Sequence, residues 1–198
     1  MELNYPLNMS FKLLALAPQI YVRDADGNTV CYVKQKLLKL KEAVTVFSDD
    51  SQQKVLCEIK ADRVIDFSAN YPFYDAQGEV FGRMARKGMR SLWKAHYEVF
   101  DAEDSPVSVI SEENPMAKVA DSLMGEVPGL SLLSGYLFHP KYSLKTADTE
   151  EIKMRLTKEP SMFEAKFRID RLYDYDNQAE LRGIMAFLMM TLLERAKG

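Results

Sequence analysis

One apolar stretch decides the fold: Ile184-Met185-Ala186-Phe187-Leu188-Met189-Met190-Thr191-Leu192-Leu193. Upstream, Asn177 and Glu180 match a capping box, in which Asn accepts from the amide three residues on and Glu reaches back, so the stretch is predicted to be helical. A helix without a polar face has to be surrounded by protein on all sides. The stretch is too short to cross a bilayer, which takes about 20 apolar residues. We therefore predict that it is buried in the core.

A repeat precedes this helix in the chain. Four segments share an apolar or aromatic pair, an aspartate, a short polar turn and an apolar run. Their aspartates are residues 24, 49, 75 and 101, so the successive spacings are 25, 26 and 26 residues. Asp accepts hydrogen bonds from its own backbone, and Gly and Asn tolerate positive φ, so each turn suits a hairpin. Four consecutive hairpins predict a β-meander.

The second half of the chain adds strands and one short helix. Asn114-Pro115 is typical of a helix start, and apolar spacing predicts a short helix near 115–124. Strict alternation predicts strands over residues 151–156 and 163–170. In the second of these, Phe163, Ala165, Phe167 and Ile169 should face inward. The charged residues Glu164, Lys166, Arg168 and Asp170 should face water. A mainly β chain that ends in an all-apolar helix indicates a sheet closed into a barrel, with the helix filling it.

Composition sets the broad class. The chain has 198 residues, of which 47% are apolar and 28% charged, so residues 1–198 are interpreted as one folded domain. The formal net charge of −3 gives no reason to expect nucleic acid as a partner. The first residues lack a basic signal-peptide region, and the two cysteines, Cys31 and Cys57, fit reduced buried thiols, so a cytoplasmic location is expected. Their equivalent places in successive repeats suggest that they lie on adjacent return strands.

The sequence lacks the motifs that usually carry catalysis. The chain has no G-x-G-x-x-G or Walker A loop, and Ser131 lacks the second glycine of a nucleophile elbow. His96 and His139 are not in a metal-ligand spacing, and the turn at Asp24 departs from a calcium loop. We therefore expect a protein that is not an enzyme and that takes no cofactor and no metal.

Two segments in the third quarter of the chain carry a family resemblance. They are Leu123-Met124-Gly125-Glu126-Val127-Pro128 and Gly135-Tyr136-Leu137-Phe138-His139-Pro140-Lys141-Tyr142. With the hairpins and the apolar helix, the chain resembles the LURP-one-related family of the tubby C-terminal-like superfamily. The resemblance implies about twelve antiparallel strands in a closed barrel around the helix, and little chemistry. Tubby proteins bind phosphoinositide head groups through basic surface residues. Scramblases are distant relatives, but no acidic calcium segment like theirs is present.

Two basic segments stand out from the acidic background. Residues 82–96 contain five cations and no carboxylate, and residues 27–41 contain four. Clustered Lys and Arg bind phosphates by charge and, for Arg, by paired hydrogen bonds. The alternative is a solvated outer barrel face. The candidate anion-binding residues are Arg83, Arg86, Lys87, Arg90, Lys94, Lys34 and Lys36.

These features favour an intracellular binding module for anionic phospholipid or another phosphate-bearing ligand. The alternative is a protein-interaction scaffold, with another protein as the partner. The two hypotheses differ in whether the basic segments converge on one face of the barrel. Convergence favours an anionic ligand, and dispersal favours the scaffold.

Overall fold

A computed structural model of the chain describes residues 3–12, 19–34, 43–61, 69–86, 95–113, 140–161, 164–174 and 176–195. Within these ranges the chain forms twelve β-strands followed by one helix. The strands are β1 (Leu7–Lys12), β2 (Gln19–Arg23), β3 (Thr29–Lys34), β4 (Ala43–Phe47), β5 (Val55–Lys60), β6 (Asn70–Asp75), β7 (Val80–Arg86), β8 (His96–Phe100), β9 (Pro106–Glu112), β10 (Lys141–Thr146), β11 (Ile152–Glu159) and β12 (Glu164–Arg171), and the helix is α1 (Asn177–Arg195).

The strands form a closed antiparallel barrel in which each strand pairs with its neighbours in the sequence. Strand β1 closes the barrel because it pairs with β2 on one side and with β12 on the other. Phe11 of β1 lies opposite both Ile20 and Ala165. The predicted barrel of about twelve antiparallel strands around a helix is therefore confirmed.

The four predicted hairpins are present, and each is held by its aspartate. The Oδ1 atom of Asp24 accepts from the amides of Asp26 (3.0 Å) and Asn28 (2.8 Å). Asp49, Asp75 and Asp101 accept from amides two or four residues later in the same way. A fifth hairpin joins β10 to β11, and there the hydroxyl of Thr146 accepts from the amide of Glu151 (3.1 Å). Because neighbouring strands alternate in direction, all five turns lie at one end of the barrel, which we call the turn rim.

Helix α1 fills the barrel, as predicted. Every residue from Ile184 to Leu193 is buried, and Phe187 is 0% exposed. Its surroundings come from several strands: Met185 lies 3.3 Å from Cys57 of β5, and Gly183 lies against Leu144 of β10 and Met154 of β11. The single hydroxyl in the stretch donates to a carbonyl one turn back in the helix, so it needs no outside partner.

The predicted capping box is wrong by one residue. The cap is Asp176, whose Oδ1 accepts from the amides of Gln178 and Ala179, both at 2.9 Å. Glu180 does not reach back to the cap, because its carboxylate accepts a 3.0 Å hydrogen bond from Arg171 of β12. Asp and Asn cap helices about equally well, so the residue that comes first took the position.

The register of β12 is confirmed for the residues that the structure describes. Phe167 and Ile169 are buried, and Ala165 packs against the core, whereas Lys166 and Arg168 face water. Phe163 and the predicted helix near 115–124 lie outside the described residues. So does most of the sequence that carried the family resemblance; its last two residues, Lys141 and Tyr142, begin β10.

Candidate functional site

The end of the barrel away from the turn rim, which we call the opposite rim, carries a repeated positive charge. Strands β1, β3, β5 and β7 run in the same direction and end there. The last residue of each is basic: Lys12, Lys34, Lys60 and Arg86. The three lysines are exposed. One half of the opposite rim therefore presents three exposed lysines, one on each of the alternate strands β1, β3 and β5.

The turn rim carries the opposite charge. Its five turns, over residues 24–28, 48–54, 75–79, 101–105 and 147–150, contain one cation, Lys54. Hydrogen bonds stabilise the charged carboxylates: the Asn28 side chain lowers the pKa of Asp24, and Ser51 and Ser48 lower the pKa of Asp49. The turn carboxylates are Asp24, Asp26, Asp49, Asp50, Asp75, Glu79, Asp101, Glu103, Asp104, Asp148 and Glu150. The barrel is thus acidic at one end and basic along half of the other.

The structure places Arg83 and Arg86, the two described arginines of the candidate set, on different faces of β7. Arg83 lies on the outer face of β7, where its guanidinium pairs with Asp104, donates to the side chain of Asn70 (2.8 Å) and covers the Phe100 ring. This ion pair also lowers the pKa of Asp104. Arg86 is in phase with the buried Met84 and is itself 7% exposed, so it faces the barrel interior. The two side chains therefore do not form one exposed patch.

The two basic segments nevertheless start from the same rim. Lys34 ends β3 and Arg86 ends β7, and both strands end at the opposite rim. Lys36, Lys87, Arg90 and Lys94 lie outside the described residues, so their role in ligand binding stays a prediction. Strands β4, β5 and β6 lie between β3 and β7, so convergence of the two segments on one face stays a prediction.

A polar group inside the opposite rim was not predicted from the sequence. The hydroxyl of the fully buried Tyr97 donates to Oε1 of Glu194 at the end of α1 (2.6 Å). Burial, and then the Glu194 charge, raise the pKa of Tyr97, while the charge of Arg86 opposes this. Burial and the charges of Glu112 and Glu194 also raise the pKa of Tyr142. The sequence contained an indication of this buried polar group, because Glu112 and Arg86 alternate in phase with the inward-facing residues of their strands.

Comparison with known proteins gives the family. The family model described as LURP-one-related matches residues 29–182, which run from the first residue of β3 into α1. The chain belongs to the LURP-one-related family. Among solved structures, it is similar to a protein from Arabidopsis thaliana, with 11% identity and a TM-score of 0.49, over 94% of this chain and 91% of that one. Comparison with curated proteins gave no match.

Two further observations concern the described part of this LURP-one-related barrel. Among the described residues, no helix combines the length and the hydrophobicity needed to cross a membrane. Within the same ranges, no group of three or more His, Cys, Asp or Glu side chains is placed to hold a metal ion.

The cysteines of the LURP-one-related barrel are separated by a strand. Cys31 lies on β3 and Cys57 on β5, the return strands of successive repeats, with the outgoing strand β4 between them. Each return strand pairs with the outgoing strand of the next repeat, which places one strand between equivalent positions. Both are free thiols, 1% and 0% exposed, and Sγ of Cys57 lies 3.3 Å from Sδ of Met185.

We expect neither thiol to react with a disulfide reagent in the folded protein at pH 8. Burial raises the pKa of Cys57 to about 12 and also raises that of Cys31. The thiolate is the reactive form, and at pH 8 a pKa near 12 leaves roughly one thiol in ten thousand ionised. Colorimetric titration should count no thiol in buffer and both in denaturant. Rapid labelling of either cysteine under native conditions would contradict this expectation.

Proposed function

We propose that this LURP-one-related barrel is a non-enzymatic module that binds anionic phospholipid surfaces with its opposite rim. The observation that carries the proposal is the exposed lysine that ends each of the strands β1, β3 and β5, at the end away from the acidic turns. An anionic surface attracts one end of the barrel and repels the other. The charge distribution therefore supports one orientation of docking.

Three exposed lysines supply the described part of this surface. Lys34 ends β3, Lys12 lies over the Tyr21 ring, and Lys60 pairs with Glu58 at 3.0 Å. A basic residue near an anionic leaflet contributes about 1 kcal/mol, so the three together contribute about 3 kcal/mol. The repulsion from the turn rim is screened, since the Debye length is about 10 Å at 0.1 M salt.

The remaining cations of the two segments belong to the same proposal. Lys36 lies two residues beyond Lys34 in the chain, and Lys87 follows Arg86 directly, with Arg90 and Lys94 shortly after. The proposal assigns these residues to phosphate contacts beside the opposite rim. Arginine at residue 90 suits paired hydrogen bonds to phosphate oxygens.

Reversing the charge of the rim lysines should abolish binding to anionic vesicles. The test variant carries Lys12→Glu, Lys34→Glu and Lys60→Glu, and sedimentation is measured with phosphatidylcholine vesicles and with vesicles that also contain phosphatidylserine. Loss of about 3 kcal/mol corresponds to roughly a 100-fold weaker affinity, and raised salt should weaken the wild type in the same direction.

A matched control variant distinguishes the effect of the rim lysines from the effect of the change in net charge. Lys54, Lys145 and Arg168 lie at the turn rim and on the outer faces of β10 and β12, away from the opposite rim, so their reversal to Glu gives the same change in charge elsewhere. We expect the control to retain most of the binding. If the wild type never sediments with anionic vesicles, or if both triple variants lose binding equally, the proposal is overturned.

A further inference from the structure

A small cavity opens at the turn rim, at the end of the barrel away from the lysines. It has a volume of about 220 Å³ and lies between the first turns of α1 and the inner faces of β8, β9 and β10. Apolar side chains of Val99, Val107 and Leu144 line its wall. Its volume is below the roughly 300 Å³ at which sites for drug-sized ligands begin, so a phospholipid or a nucleotide is too large.

The cavity contains a buried guanidinium. Arg182 of α1 lines it and is only 8% exposed. Its Nε donates to the carbonyl oxygen of Phe81 at 3.0 Å. Among the described residues, no carboxylate pairs with Arg182, and this is its one hydrogen bond. Proteins rarely keep a buried charge without a partner, because burial removes its hydration.

Strand β7 leaves room for the side chain of Arg182 at Gly82. A Cβ added to Gly82 would lie 2.8 Å from both Cδ and Nε of Arg182. The glycine therefore leaves the space through which the arginine passes, and the adjacent carbonyl of Phe81 fixes its Nε. Arg182 is therefore held through its Nε, and its terminal nitrogens have no hydrogen-bond partner among the described residues.

The nearby carboxylates are already engaged. Glu180, on the same helix, accepts from Arg171 at 3.0 Å. Asp176 lines the cavity, but its Oδ1 accepts from the amides of Gln178 and Ala179 as the helix cap. Neither one forms an ion pair with Arg182. Because accepting hydrogen bonds does not neutralise a carboxylate, Asp176 and the turn rim oppose anions in the cavity, so paired contacts with Arg182 have to outweigh them and a ligand with two negative charges is disfavoured.

We propose that this cavity binds a small monocarboxylate with a short apolar tail. The carboxylate forms paired hydrogen bonds to Arg182, a geometry that guanidinium favours. The tail contacts Val99, Val107 and Leu144. This site is independent of the proposed membrane surface, because the two lie at opposite ends of the barrel.

Titration with short acids tests the site. The probes are acetate, butanoate and the uncharged butanamide, each followed by amide chemical shifts in ¹⁵N-labelled protein. We expect butanoate to bind at least tenfold more tightly than acetate, with shifts confined to α1 and β8–β10. Butanamide should bind at least tenfold more weakly than butanoate, because it carries no charge for Arg182. Equal binding of butanoate and butanamide, or no shifts with butanoate, would overturn the proposal.

Two variants test the cavity itself. Arg182→Gln should weaken butanoate at least tenfold without lowering the melting temperature, since it removes an unpaired buried charge. If that variant does not fold, Ala179→Phe tests the site instead. Ala179 is half-buried and lines the cavity, so the introduced phenyl ring would fill it. Gln178→Phe, exposed on the same turn, is the matched control and should bind as the wild type does. Unchanged binding by Ala179→Phe would refute the site.

Discussion

Replacing Phe187 with aspartate is expected to prevent the chain from folding. Phe187 is 0% exposed in the middle of α1, with barrel wall on every side. Loss of a buried phenylalanine side chain alone costs about 3–5 kcal/mol. An unpaired carboxylate in the same place adds several kcal/mol, against a total stability of about 5–15 kcal/mol for a typical domain. Soluble yield and thermal unfolding followed by circular dichroism give the measurement.

Two control variants test whether the buried carboxylate at position 187 is the cause of the unfolding. Phe187→Leu keeps the site apolar and should lower stability by far less, because it leaves only a small cavity. Gln178→Asp adds a carboxylate to the exposed first turn of the same helix, where negative charge is favourable, so it should fold normally. A soluble Phe187→Asp protein with the wild-type melting temperature would show that α1 is not the core of the barrel.

Replacing Gly82 with alanine is expected to destabilise the barrel by about 3 kcal/mol or more, from backbone strain and overpacking together. Gly82 has φ +157°, and an added Cβ would lie 2.7 Å from the backbone carbonyl oxygen of Phe100. That carbonyl belongs to β8, which is paired with β7, so it cannot move away without disturbing the barrel wall. Urea unfolding measures the change in free energy.

Gly78 is the matched control for this prediction. Its φ is +86°, but an added Cβ would meet nothing within 4 Å. Gly78→Ala therefore tests the cost of a positive φ by itself, which is about 1 kcal/mol. Equal destabilisation by the two substitutions would mean that the contact with β8 contributes nothing.

The parts of the fold that sequence predicted are those specified by local chemistry. Asp24 and its three counterparts could be recognised because each binds amides within its own turn. The apolar run around Phe187 could be recognised because it lacks a polar face. The fifth hairpin was missed because Thr146 occupies the place of an aspartate, and the helix start was misplaced because Asp176 and Asn177 are both good caps.

The candidate sites were only partly predictable because they depend on which strands become neighbours. Lys34 and Arg86 were visible as charges, but their common rim follows from strand direction. The inward direction of Arg86 follows from register, and the pairing of Arg83 with Asp104 requires the turn after β8 to lie beside β7. The cavity beside Arg182 exists only once the barrel has closed around α1. No local pattern encodes these relations.

The place of α1 after all twelve strands has a consequence for biosynthesis. At about 5–20 residues per second, a ribosome takes roughly 10–40 s to proceed from β1 to α1. During that time, the inner faces of the strands have no helix to cover them, and the pairing edge of β1 that β12 will occupy stays open. Such edges readily pair with other chains. The nascent chain should therefore depend on chaperones until the helix emerges, and its folding should be completed only once α1 is available rather than strand by strand.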